Sequence, residues 1–199
     1  MKIIGNEFEN LIKGIILSHD DKFSEIVFNK NLLNVLNFSE YKRQHPYENF
    51  NTLDGFIIAI NKEKNDIILF KNFPRYNKIG RTEFCVVHKV DNIIYIWRIE
   101  CKFQKVVGTA YEKNAGEISY YRDNKINSKE TQFVLVYDGD FYERNPNIIK
   151  DILKTIQNDI DILFLNVPQF KEFLTDYLNA EANINEVFKK HHSIIMKII

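Results

Sequence analysis

Two cysteines, four prolines and seven glycines in 199 residues leave this chain poor in the residues that staple, break or loop a backbone. Two thiols cannot build a disulfide framework. With no second Cys or His at ligand spacing, they cannot complete a four-ligand zinc set either. No glycine-rich phosphate loop is present, and no serine or cysteine stands in a nucleophile motif. Nor do repeats or low-complexity linkers divide the chain. Charge of one sign is also missing: 27 basic residues balance 27 acidic ones. A phosphate-binding surface must therefore come from local clustering rather than from total charge. No apolar run approaches membrane-spanning length. The N-terminal MKIIGNEFENLIKGIIL carries Glu7 and Glu9 within its apolar part and lacks a small-residue cleavage site, which predicts a cytoplasmic protein.

What is present is a large apolar fraction, 45% of residues, enough to bury a sizeable core in one domain over 1–199. Asn6 to Leu17 has Phe8, Leu11, Ile12, Ile15 and Ile16 at helical spacing. Ser24 to Leu36 reads as a second helix and Asn37 to Asn51 as a polar loop broken by Pro46. GFIIAI and DIILF flank the charged NKEKND as a strand pair. The stretch KNFPRYNKIGRT then carries Lys71, Arg75, Lys78 and Arg81 without an acid, with Phe73 and Tyr76 among them. It reads as a basic loop that could meet phosphates.

Beyond it, EFCVVH and IIYIWRIECKF are strands around VDN, followed by a helix from Ala110 into the Tyr120 region. FVLVYDGD is a strand, NPNIIKDILKTIQ a helix and DILFLNV a strand. PQFKEFLTDYLNAEANINEVFKK is mostly helical, with Pro168 suited to its start. Alternation of strand and helix favours an α/β sheet flanked by helices. The expected layout is N-terminal helices and a strand pair in 1–70, a core in 71–175 and a C-terminal helix in 176–199.

Inside IIYIWRIECKF the polar residues fall at every second position, so period-two alternation sorts the strand cleanly. Ile94, Ile96, Arg98, Glu100, Lys102 and Gln104 share one face, while Ile93, Tyr95, Trp97, Ile99, Cys101 and Phe103 share the other. The first face turns polar toward the C-terminal end, where open α/β sheets put their ligand sites. If Asp91 and Asn92 form a two-residue turn, opposed residues have numbers adding to 183 and Glu83 faces Glu100, with Cβ atoms about 5 Å apart. A longer loop would shift this register by one or two residues. Opposed carboxylates repel unless something neutralises them. Carboxylates, a backbone carbonyl and water suit magnesium or manganese. Lys102 would then stand beside the cation, where it could position an attacking water for phosphodiester hydrolysis. An isolated Glu-x-Lys on an exposed edge is a solvated pair, but the apolar run on both sides argues against that here.

GRTEF, ECK and KFQ together resemble the PD-(D/E)XK nuclease superfamily, whose pattern is an acid on one strand, D/E-x-K on the next and often Gln two residues later. The wider stretch from NFPRYNKIGRTEF to RIECKFQKVVGTAYEK is similar to small bacterial and phage members, with Gly108, Thr109, Glu112 and Lys113 at their helix entry. Glu83 stands where Asp is more common, and the proline usually named before that acid is absent. The resemblance spans about Asn72 to Leu174. It implies a restriction endonuclease-like mixed sheet flanked by helices and a Mg2+- or Mn2+-dependent DNA endonuclease. A type II restriction-like homodimer is the leading form; a repair, recombination or phage nuclease, or a catalytically inactive nucleic-acid-binding module, is the alternative. The implied catalytic residues are Glu83, Glu100, Lys102, Gln104 and, from the first helix, Glu9, with Glu7 or Glu40 as alternatives for that last role; the metal ligands are Glu83, Glu100 and Cys101. Lys71, Arg75, Tyr76, Lys78, Arg81, Thr109 and Lys113 are the nucleic-acid contacts. Asp138 and Asp140, at the end of the next strand, read as a turn, and the five histidines as structural.

Overall fold

The computed structural model describes residues 2–18, 23–24, 57–61, 67–74, 81–90, 93–104, 110–128, 131–180 and 183–199. The elements are α1 (Lys2–Ser18), β1 (Phe23–Ser24), β2 (Ile57–Asn61), β3 (Ile67–Pro74), β4 (Arg81–Val90) and β5 (Ile93–Phe103). They continue with α2 (Ala110–Ser128), β6 (Gln132–Asp138), α3 (Asp140–Arg144), α4 (Pro146–Ile156), β7 (Ile162–Asn166), α5 (Val167–Asn179) and α6 (Ile184–Met196). The contacts divide into two compact units. One comprises Met1–Ile16, Glu100–Asp123 and Gln132–Ile199; the other comprises Leu17–Ile99 and Asn124–Thr131.

The second unit is built from antiparallel pairs. β1 pairs with β2, β2 with β3, β3 with β4 and β4 with β5. The β4–β5 register runs from Val90↔Ile93 to Phe84↔Ile99, the pairing expected for a two-residue turn at Asp91 and Asn92, which themselves lie outside the described residues. Phe84, Cys85, Val86, Ile96, Trp97 and Ile99 are buried, so both faces of this hairpin are covered. Thr82 Oγ1 donates to the Ile99 carbonyl at 3.4 Å. Thr131 closes onto β5 within this unit, donating its backbone N–H to Ile96 O at 2.7 Å while its Oγ1 accepts from Ile96 N at 3.2 Å.

The other unit is an α/β assembly. β6 and β7 run parallel, from Phe133↔Ile162 to Tyr137↔Asn166. The intervening crossover holds α3 and α4, as a parallel connection requires. Continuous burial along FVLVY and ILFL explains why these segments lack alternation: strands covered on both faces read as unbroken apolar runs. Each fully buried aliphatic side chain there contributes about 1.5–3 kcal/mol. Helices supply the cover. Ile118 and Tyr121 on α2, Ile152, Leu153 and Ile156 on α4, and Phe170, Phe173, Leu174 and Tyr177 on α5 are buried at three- and four-residue spacing. Phe173 is the hub of the C-terminal packing, with ring centroids 5.0 Å from Phe188 and 5.4 Å from His191.

β7 passes into α5 without a loop. Asn166 caps the helix, accepting from Gln169 N at 2.9 Å while Gln169 Oε1 accepts from Asn166 N at 2.9 Å. Pro168 sits in the first turn, where its missing N–H costs nothing.

Several expectations need correction. Ser24 lies in strand β1 rather than opening a helix; the rest of that proposed helix and the loop to Asn51 lie outside the described residues. β3 runs on to Pro74, so Lys71 and Phe73 belong to a paired strand and not to a loop, because the ladder with β4 continues through Phe73↔Thr82. α2 extends to Ser128: its outer face is polar, and the weak periodicity hid its second half. The C-terminal helical stretch is two helices separated at Ala180–Asn183, a break unmarked by Gly or Pro. Asp140 opens the short helix α3 rather than closing a turn.

Candidate active site

β5 changes character along its even face. Arg98 is 1% exposed and Glu100 0%, while Lys102 and Gln104 are half-buried. Two positions apart on one strand face, Lys102 Nζ donates to Glu100 Oε2 at 3.3 Å. The carboxylate is sealed and the ammonium reaches partway to solvent, at 17% side-chain exposure. Such a pair is a poor device for stability alone. Desolvating both ions costs several kcal/mol that their attraction barely repays.

The end of β5 is gripped by the turn after β6. Gln104 N donates to Asp138 O at 3.1 Å, and Phe141 N donates to Gln104 O at 3.1 Å. Gly139 makes this grip possible. Its φ is +106°, and a Cβ there would stand 2.3 Å from Gln104 O, so neither the backbone nor the space admits a side chain. The C-terminal ends of β5 and β6 therefore lie side by side, the place where parallel strands present ligand sites. Asp138 holds β5 through its carbonyl, while its side chain closes the turn itself, Oδ1 accepting from Gly139 N at 2.7 Å.

Two residues not singled out from sequence join this region. Asn114, 0% exposed on α2, donates from Nδ2 to Tyr142 Oη at 3.0 Å. Asn114 Oδ1 has no partner among the described atoms. Tyr142, on α3, is 1% exposed and packs against Tyr137, with centroids 4.9 Å apart. Burial raises the Tyr142 pKa, with the Asn114 hydrogen bond and the Lys102 ammonium pulling the other way. The phenol is thus neutral. Burial also drives Tyr137 up to about 12, helped by Tyr142 and opposed by a hydrogen bond from Asn166. A sequence signal for Asn114 exists: it falls on the same helical stripe as Ile118 and Tyr121, where a polar residue is out of place.

The remaining expected residues are distributed as follows. Glu83 is half-buried on β4, one residue before Phe84, and Phe84 pairs with Ile99. Glu9 is half-buried on α1, beside Phe8, whose ring lies 5.6 Å from that of Phe103. Phe103 belongs to the opposite face of β5 from Lys102. Cys101 shares that opposite face and neither cysteine is in a disulfide; a thiol is a soft ligand, so only the Cys101 carbonyl fits a hard-cation site. Lys113 is exposed. Lys71 lies in β3 and Arg81 opens β4. Arg75, Tyr76, Lys78 and Thr109 lie outside the described residues. Among the described residues no group of three or more His, Cys, Asp or Glu could hold a metal, and no helix is long and apolar enough to cross a membrane. No family model matches the chain, and no curated protein or solved structure matches it significantly.

Proposed function

We propose that this protein is a Mg2+-dependent DNA endonuclease of the restriction endonuclease-like class, acting as a dimer so that two sites address two strands. The observation that carries the reading is the Glu100 carboxylate, sealed from solvent, with the Lys102 ammonium 3.3 Å away on the same strand face. Glu-x-Lys at the C-terminal end of a buried strand is the central motif of that class, and Gln104 follows in phase.

In this reading Glu100 supplies one carboxylate to the cation, Glu83 the second, and the Cys101 carbonyl a further oxygen. These are hard donors of the number magnesium takes when water and substrate phosphate complete its shell. A cation held by these oxygens would supply Lewis acidity toward water and offset charge on the phosphate. Lys102 holds the attacking water in line and offsets charge as it builds on the phosphoryl oxygens. Gln104 orients the same face, and Glu9 is assigned an outer role. Lys71, Arg75, Tyr76, Lys78, Arg81, Thr109 and Lys113 are assigned to the DNA backbone, where they set affinity without reading sequence.

The test is plasmid cleavage by the purified protein with Mg2+, beside Glu100→Ala and Lys102→Ala. The wild type cuts and both variants lose activity by on the order of 10³-fold or more. Cleavage that survives both substitutions removes the site from consideration. An intact plasmid in every lane, with DNA retained in a gel shift, points to a binding module instead. Discrete fragments rather than a smear mark a sequence-specific cutter, and the same assay on RNA decides the substrate.

A further inference from the structure

Asn114 and Tyr142 meet where α2 and α3 are sealed from solvent, and each keeps a polar group that the other does not use. Asn114 Nδ2 donates to Tyr142 Oη at 3.0 Å. The phenol oxygen accepts that bond, so its own hydrogen is left to donate elsewhere. Burial keeps that hydrogen on the oxygen, raising the phenol's pKa. Among the described residues Tyr142 has no hydrogen-bond partner other than Asn114, and Asn114 Oδ1 accepts from none. Turning the amide over does not remove the shortage. Oδ1 would then accept from the phenol, and both Nδ2 hydrogens would be buried without an acceptor. In either orientation the pair needs one further polar group, because a buried donor or acceptor left unmade costs more than an ordinary hydrogen bond returns.

The packing restricts what that group can be. The Tyr142 ring is held by Tyr137, Phe141 and Phe164, with centroids at 4.9, 5.4 and 6.1 Å. The Tyr137 hydroxyl is engaged with Asn166. Asn114 stands one turn before Ile118 on the buried stripe of α2. A ligand with a carbon frame would open a path to solvent and leave one of the two side chains exposed, and neither is. One oxygen that accepts from the phenol and donates to the amide is enough. Two hydrogen bonds of about 2.8 Å each let it span the phenol oxygen and the far end of the same amide. Water has that size and polarity, and a buried water typically makes about three hydrogen bonds to groups that lack other partners.

We infer that Asn114 and Tyr142 form a binding site for one internal water, which accepts from the Tyr142 hydroxyl and donates to Asn114 Oδ1, joining α2 to α3 through a hydrated bridge. The bridge bears on the edge of β5. α3 follows the turn whose Phe141 N–H donates to Gln104 O at 3.1 Å. A water that holds α2 against α3 therefore steadies the helix after β5 against the turn that grips its end. The asparagine is explained as well: Leu would fill the buried stripe but give the phenol hydrogen no route to an acceptor. The inference is independent of the hydrolytic reading and stands or falls without a cleavage assay.

The test counts long-lived waters by 17O relaxation dispersion in the wild type and in the double variant Asn114→Leu with Tyr142→Phe, which removes both polar groups and keeps the apolar volume. The wild type is expected to hold one more such water. In 15N-labelled wild type the Asn114 side-chain amide hydrogens, identified by their loss in Asn114→Leu, should show cross-peaks to water with NOE and ROE of opposite sign, the mark of a long-lived neighbour. Those cross-peaks should weaken in Tyr142→Phe, where the bridge has lost one of its ends. Equal water counts in the wild type and the double variant overturn the inference, as does a wild-type Asn114 amide without a water cross-peak or one unmoved by Tyr142→Phe. The wild-type cross-peaks decide the matter by themselves if the double variant does not fold.

Discussion

Two acid–base clusters in the same unit make opposite use of similar chemistry. At the end of β5 the acid is sealed and the base is the partly open member: Glu100 is 0% and Lys102 17% exposed. Between α5 and α6 the acid is the open member. Asp176, 34% exposed, accepts from Lys190 Nζ and from His191 Nε2, each at 2.7 Å, while the His191 side chain is 4% exposed beneath the Phe173 ring. A carboxylate near water keeps most of its hydration and takes its partners as a net gain. One withdrawn from water gives up that hydration and is held only by its partners. The first arrangement suits fastening two helices; the second leaves the carboxylate dependent on the groups around it.

The contrast predicts different responses to losing one partner. Lys102→Ala leaves Glu100 without its ammonium in a sealed place, and chemical denaturation is expected to show a loss of about 3–5 kcal/mol. Replacing both members together, as Glu100→Leu with Lys102→Met, restores stability to near or above the wild type while ending any hydrolysis. Equal losses from the single and double changes would contradict the idea that the pair is costly.

Gly139→Ala tests the grip that holds this cluster in place. A methyl 2.3 Å from Gln104 O on a backbone at φ +106° is expected to cost about 3 kcal/mol. The Lys102 environment should loosen with it, whereas the Asp176 cluster is unaffected.

Asp176→Asn is the smallest of these changes, below about 1 kcal/mol because the side chain is a third exposed and screened. Its sign is set by linkage. The Lys190 hydrogen bond holds the Asp176 carboxyl below its ordinary value against the opposing effect of burial, and the His191 hydrogen bond adds to it. The stabilisation is therefore fully present above the unfolded pKa and disappears as pH falls through the lower folded value. Melting curves of wild type and Asp176→Asn should differ at pH 7 and converge in that acid range.

Much of this was legible because strands and tight turns obey short rules. The β4–β5 register followed from a two-residue turn, and the even face of β5 from alternation alone. β6 and β7 announced themselves as apolar runs. Where the sequence misled, the reason was tertiary. α2 is long because its few buried positions, Asn114, Ile118 and Tyr121, suffice to dock it, although its polar outer face weakens the pattern. β3 continues past Lys71 because a neighbouring strand offers partners to its backbone. Asn114 and Tyr142 lie 28 positions apart, and nothing local in either says that they meet. DGD reads locally as a plain turn, and nothing local shows that its main chain and the glycine at its centre hold the end of β5.

The seamless passage from β7 to α5 has a mechanical consequence. With Asn166 ending the strand and capping the helix, no slack segment lets the two pivot independently. An inserted linker or epitope between Asn166 and Val167 would unseat both at once, and amide deuteration should find Ile162 to Tyr177 opening as one block.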